Sequence, residues 1–177
     1  MRTGGDDIAQ VLALLGVCPE WEPMSGRVTG FKIIPYTALE RPRVDVTLRI
    51  SGFFRDAFPY QVELIDAAIQ RVAGLEEPEE FNPLATLARA ERINLSSSDA
   101  NPETALRRST MRIFGSKPGA DGAGLQSLID EGIWETQEDF ATAYLKWGSF
   151  VYGSKLEGEI EEELFRSRLS KVQVVLH

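Results

Sequence analysis

One segment whose residue types and spacing could bind a ligand is glycine-rich, Gly115-Ser116-Lys117-Pro118-Gly119-Ala120-Asp121-Gly122-Ala123-Gly124. Set between an expected short strand and an expected helix, such a segment is suited to cradling an anion. Glycines let a ligand approach the backbone closely, and N–H groups at a helix start carry partial positive charge. The segment matches neither phosphate-binding template: Lys117 precedes the glycines, and Gly119-x-x-Gly122-x-Gly124 reverses the dinucleotide order. Two readings stand. Either Gly115, Gly119, Gly122 and Gly124 shape a carboxylate site to which Ser116 and Lys117 donate, or the segment is a plain tight connection.

A second segment, Ser51-Gly52-Phe53-Phe54-Arg55-Asp56-Ala57-Phe58-Pro59, reads as a loop at the C-terminal end of a strand, where α/β sheets place their ligands. Its Phe residues beside Arg55 and Asp56 offer an apolar wall with a charged clamp, suited to a flat macrocycle bearing acidic side chains. The alternative is core packing of the aromatics, with Arg55 and Asp56 paired to each other. Carboxylates are the only metal-ligand type in quantity. Glu76, Glu77, Glu79 and Glu80 either accept a divalent ion or form a solvated loop, while Glu157, Glu159, Glu161, Glu162 and Glu163 read as the wet face of a last amphipathic helix. The sole histidine, His177, makes no dyad with its sequence neighbours. With Cys18 alone, neither an intrachain disulfide nor a Cys-based zinc site can form, so a reducing cytoplasm is the expected setting.

The chain has 177 residues, 43% of them apolar, which is enough for a core and excludes disorder throughout. The longest nearly unbroken apolar run, Val11 to Cys18, falls far short of the roughly 18 residues of a bilayer span, and the first residues show no secretory h-region. With 19 Lys plus Arg against 27 Asp plus Glu the net charge is −8, which argues against a nucleic-acid partner. Positive charge still gathers locally: Arg41, Arg43, Arg49 and Arg55 share a window with one acid, and Arg107, Arg108, Arg112 and Lys117 share one with none. Ordinary ion-pair charge and a pocket for an anionic small molecule both fit this pattern.

The elements that must position these residues follow from periodicity. Ile8, Val11, Leu12 and Leu15 have helical spacing between Asp6 or Asp7 and Gly16, and Pro19, Pro23 and Gly26 mark a turn-rich connection before an extended Val28 to Tyr36. Strict alternation from Val44 to Ile50 predicts a strand, and Pro59 opens a helix burying Val62, Ile65, Ile69 and Val72. A further helix runs from Leu84 to about Ile93, a loop-like and mobile stretch covers Ser96 to Pro102, and a short helix through Arg108 leads to a strand over Thr110 to Phe114. Helices are expected over Leu125 to Glu131, Gln137 to Trp147 and Glu159 to Val172, with a strand beginning at Val172. Alternating strands and helices predict an α/β fold with a mainly parallel sheet flanked by amphipathic helices, with a loop-rich hinge at about 76–102 between two halves.

Three segments in order carry a resemblance. They are Arg2-Thr3-Gly4-Gly5-Asp6-Asp7-Ile8-Ala9-Gln10, RPRVDVTLRISGFFRDAFP from Arg41 to Pro59, and RIFGSKPGADGAGLQSLIDEG from Arg112 to Gly132. A Glu-Glu-Pro-Glu-Glu hinge links them, Ala143-Tyr144-Leu145-Lys146-Trp147-Gly148 follows, and together they resemble the large subunits of aerobic cobaltochelatases (CobN type), related to the H subunit of magnesium chelatase. The resemblance covers nearly the whole chain. It implies ATP-dependent insertion of Co²⁺, the substrate metal, into hydrogenobyrinic acid a,c-diamide during cobalamin synthesis. The large subunit would hold corrinoid and metal, and separate AAA+ motor subunits would hydrolyse the ATP, which is not bound here. Members are several times longer, so the chain is expected to be an internal fragment of a multidomain subunit, inactive in isolation.

Insertion must remove two pyrrolic protons and strip water from Co²⁺, for which a carboxylate is the fitting device. Asp56 and Glu80 are the candidates for catalysis and for metal. Arg49, Phe53, Phe54, Arg55, Gly115, Ser116, Lys117, Gly119, Gly122 and Gly124 are the candidates for the corrinoid. The chain departs from the family pattern in having no histidine between Pro83 and Arg92, and in Asp121 where tyrosine is usual. Two alternatives remain open: a non-catalytic module that docks the motor subunits, and insertion of Mg²⁺ into protoporphyrin.

Overall fold

The computed structural model describes residues 5–97 and 101–176. Arg2, Thr3 and Gly4 of the first family segment, residues 98–100 of the expected mobile stretch, and His177 lie outside the described residues. The elements in chain order are α1 (Asp6–Leu15), β1 (Val17–Trp21), β2 (Val28–Ile33), α2 (Tyr36–Leu39), β3 (Leu48–Arg49), α3 (Gly52–Ala57), α4 (Pro59–Ala73) and α5 (Pro83–Ser96). After them come α6 (Pro102–Thr110), β4 (Ile113–Gly115), α7 (Gln126–Glu131), α8 (Gln137–Gly148), β5 (Phe150–Gly153), β6 (Leu156–Ile160) and α9 (Glu162–Leu169). They divide into two compact units, one of Met1–Val46 with Leu64–Met111, the other of Thr47–Glu63 with Arg112–His177.

In the first unit, α1 ends where Gly16 turns left-handed at φ 73° and its N–H bonds back to the Ala13 carbonyl. β1 and β2 form an antiparallel ribbon from Val17 opposite Ile33 to Trp21 opposite Val28. Pro19 had suggested a turn there, but a two-stranded ribbon has a free edge on each strand, where a missing N–H costs no ladder bond. Helices α5 and α6 each begin with a proline behind an asparagine cap: Asn82 accepts from the Ala85 N–H and Asn101 from the Glu103 N–H. Ile65, Ala68, Ile69, Val72, Leu84 and Ala105 form the dry centre. Beside it, the buried Arg43 clasps Glu77 through Nε at 2.7 Å and Nη2 at 2.8 Å. The same guanidinium donates to the carbonyls of Leu15, Gly16 and Ile34, while the Asn82 amide donates to Glu77 and to the Val72 carbonyl. The 76–102 stretch, expected to hinge two halves, therefore lies inside this unit; α5 fills its middle and Glu77 ties its start to Arg43.

In the second unit the strands lie in the order β3-β4-β5-β6. The α/β class holds, but the sheet is mixed rather than mainly parallel. β3 pairs with β4 in parallel, Leu48 beside Ile113, whereas β4–β5 and β5–β6 are antiparallel. The cause is a hairpin the sequence conceals: a tight turn with Lys155 at φ 60° joins β5 to β6, and only antiparallel strands can be joined so closely. Glu157 and Glu159 accordingly stand on strand β6, not on a helix, and α9 begins only at Glu162. The expected strand from Val44 shrinks to two residues because the Val44 N–H bonds to the Leu14 carbonyl instead of to a ladder. Phe114 stacks on Phe165 with ring centroids 4.6 Å apart, and with Ile113 and Val151 the two form the buried centre. Helix α7 buries no residue; Ile129, Ile133 and Trp134 near it are exposed, with Trp134 against Phe140 at 5.0 Å. Residues 172–176 carry no strand. No helix among the described residues is long and apolar enough to cross a membrane.

Candidate functional site

Because β3 and β4 are parallel neighbours, the segments leaving Arg49 and Gly115 emerge at the same end of the sheet. The segment after β3 is helix α3, not the loop expected: Ser51 Oγ accepts from the Phe54 N–H at 3.0 Å and starts the helical turn. Phe54 and Phe58 rings meet at 5.6 Å and Phe53 meets Phe58 edge-on at 6.2 Å, leaving Phe53 66% exposed. The segment after β4 is the glycine loop.

Arg55 holds that loop by its carbonyls. Its Nη1 donates to the oxygens of Ser116 at 3.1 Å, Lys117 at 3.1 Å and Ala120 at 3.3 Å, while Nε and Nη2 grip Asp56 at 2.6 and 2.9 Å. The guanidinium also lies 5.4 Å over the Tyr152 ring. The hydrogen bond with Asp56 is the chief reason that Arg55 titrates above its ordinary value and Asp56 below the usual carboxylate range. Tyr152 donates to the Ser116 carbonyl at 2.5 Å, and Ser116, fully buried, donates its hydroxyl to the Ala120 carbonyl at 2.6 Å. Burial pushes the Tyr152 phenol up.

The far half of the loop is held differently. Asp121 Oδ1 accepts the N–H groups of Gly52 and Gly122, each at 2.8 Å, and these two bonds hold its carboxyl below the usual range. Arg49 donates to the Gly122 carbonyl at 2.7 Å and to that of Ile50. Its Nε is buried without a hydrogen-bond partner among the described residues, and burial draws this guanidinium below its ordinary value. Trp147 donates its indole N–H to the Asp121 carbonyl at 3.2 Å. Gly124, left-handed at φ 75°, sits where a Cβ would come within 2.5 Å of Trp147. Gly124→Ala should therefore destabilise the second unit by about 1–3 kcal/mol through overpacking and backbone strain. A thermal melt checks this, with a red shift of Trp147 emission as the loop is displaced.

The structure thus brings together Arg49, Arg55, Asp56, Ser116 and Gly122. It engages the two guanidinium groups in holding the loop and leaves Lys117 exposed, without an ion pair among the described residues. Gly119 and Gly122, at φ 77° and 82°, face open space. Glu80 is exposed and belongs to the first unit, whereas Asp56 belongs to the second. Among the described residues no three His, Cys, Asp or Glu side chains gather as a metal site. Of the positive windows, Arg43 is taken up by Glu77, and Arg107 by the buried Asp66 at 2.9 Å. Asp121, Tyr152 and Trp147 escaped the sequence reading as parts of the site. The one signal for Asp121 was an acid between two turn glycines, a position where Asp binds nearby amides.

The sequence model of the CobN/Magnesium Chelatase family matches residues 1–177. The aerobic cobaltochelatase subunit CobN of Pseudomonas aeruginosa is 55% identical over 177 residues, all of this chain and 14% of that protein. The CobN subunit of Sinorhizobium sp is 54% identical over 176 residues, 99% of this chain and 14% of that protein. The solved catalytic subunit of cobaltochelatase from Mycobacterium tuberculosis superposes with a TM-score of 0.83 at 46% identity, over 92% of this chain and 13% of that one. The chain spans about a seventh of the length of the curated relatives it matches.

Proposed function

The chain belongs to the CobN/magnesium chelatase family, and from that premise we propose that it is a corrinoid- and metal-handling portion of a cobaltochelatase large subunit acting in the cytoplasm. In this reading Co²⁺ is inserted into hydrogenobyrinic acid a,c-diamide while AAA+ motor subunits hydrolyse ATP. The observation that carries the reading is the braced glycine loop, which presents Lys117 and an open backbone turn at the C-terminal end of β3 and β4. An ammonium there suits the carboxylates of an acidic macrocycle, and the exposed Phe53 suits its apolar face. Asp56 in the second unit and Glu80 in the first are each proposed, separately, as a carboxylate that handles metal or pyrrolic protons. The cobalt branch is favoured over magnesium insertion by 54–55% identity to CobN subunits.

A docking module for the motor subunits is the second reading. It is favoured by the engagement of Arg49 and Arg55 within the fold, which leaves few cations for a ligand. Fluorescence titration of the intact polypeptide with hydrogenobyrinic acid a,c-diamide separates the two. Lys117→Ala should raise the dissociation constant about tenfold, the worth of one charge-assisted hydrogen bond of about 1.5 kcal/mol, with Tm unchanged. Unchanged affinity, with loss of motor-subunit binding, would establish docking instead.

A further inference from the structure

We propose that Asp121 is a positioning residue of this site: its carboxylate latches the glycine loop to the first turn of α3 and so sets the place from which Lys117 meets an anionic ligand. The second half of the statement rests on the corrinoid reading above; the first half stands on geometry alone. Gly119 and Gly122, left-handed on either side of Asp121, give this part of the loop many alternative backbone paths, so its seat must come from contacts. Two opposite devices supply them. The Arg55 cation collects carbonyl oxygens from Ser116 to Ala120, and the Asp121 anion collects amides, one from the loop itself at Gly122 and one from α3 at Gly52.

The Gly52 N–H is one of the first donors of α3, which have no partner within their own helix. The fit there is close: a Cβ on Gly52 would come within 2.5 Å of the Ala120 carbonyl and 3.2 Å of the Asp121 side chain. The loop therefore lies directly on the helix start, and removing the carboxylate leaves a part-buried donor without its acceptor. Arg49 and Trp147 secure the carbonyls of Gly122 and Asp121 on the other side, which makes Trp147 a built-in reporter of the seat.

The test measures hydrogen exchange by mass spectrometry on the intact polypeptide without ligand, and then titrates hydrogenobyrinic acid a,c-diamide as the probe. Asp121→Ala should speed exchange of the amides of Gly52 and Gly122 about tenfold to hundredfold, and shift emission to the red by an amount absent from a Trp147→Phe reference. Asp121→Asn, which keeps an oxygen acceptor without the charge, should restore part of the protection. Peptides from β5 and β6 should exchange as before. Corrinoid affinity should fall in Asp121→Ala about as far as in Lys117→Ala, and the double variant should lose little more than either single one. Lys117→Ala alone should leave exchange unchanged. Unaltered exchange at Gly52 and Gly122 in Asp121→Ala overturns the latch, as does an equal rise across the whole unit. Faster local exchange together with a wild-type chain that binds no corrinoid supports the latch and overturns the corrinoid reading.

Discussion

Glu77→Ala is expected to cost the first unit about 3–5 kcal/mol, the range for breaking a buried ion pair from one side. The Glu77 side chain is only 9% exposed and that of Arg43 is fully covered. The alanine would leave a guanidinium in the interior with carbonyl partners at Leu15, Gly16 and Ile34 but no counter-charge, and would strip Asn82 of one acceptor. Glu77→Gln should cost less than the alanine, since its one carbonyl oxygen can still accept from Arg43 Nε and Asn82 while the charge and the second acceptor are lost. Denaturant melts of both variants check the ranking. The hydrogen bond from Arg43, before any other cause, holds the Glu77 carboxyl below its usual value. The pair's contribution is therefore fully present above the ordinary glutamate pKa of about 4.3 and is lost as pH falls through the depressed folded value. A wild-type melt series should show that acid limb, and Glu77→Gln should flatten it.

Arg55→Ala should have the largest effect on the site. It removes one group that gathers three loop carbonyls, so the expected loss is about 1.5–3 kcal/mol of stability and, on the corrinoid-binding proposal, a roughly tenfold to hundredfold fall in corrinoid affinity. Asp56→Ala should lose much less, because its side chain is 67% exposed and touches the loop only through Arg55. Thermal melts and corrinoid titrations of both variants decide the matter. Equal losses would reduce Arg55 to a partner of Asp56 and exclude it as the brace of the loop.

Much of this was legible in the sequence, and the reasons for the gaps are local. Helix α1 was found because its apolar spacing repeats within a few residues and Gly16 ends it, although Asp6 and Asp7 lie in its first turn behind Gly5 and neither caps it. The hairpin of β5 and β6 was not: its strands are short, and the glutamates of β6 run on into those of α9 and imitate one wet helical face. The position of the glycine loop was legible, since turn chemistry marks itself in sequence, and Arg49, Arg55 and Ser116 lie at it whereas Glu80 lies in the other unit. Their engagement was hidden, because the guanidinium of Arg55 meets its carbonyl partners only after β3 and β4 have paired across a long sequence gap.

That gap bears on the order in which the chain folds. Leu48 can find its ladder partner only when Ile113 has been made, and at about 5–20 residues per second of synthesis the earlier strand waits for seconds. Helices α4, α5 and α6, whose contacts are local, form meanwhile on faster timescales. The two-residue strand β3, with Ile50 beside it, is thus a segment whose apolar surface stays uncovered for seconds on the ribosome. A ribosome-stalled chain ending before β4 should be cut by protease between Val46 and Pro59, and one extended past β6 should resist.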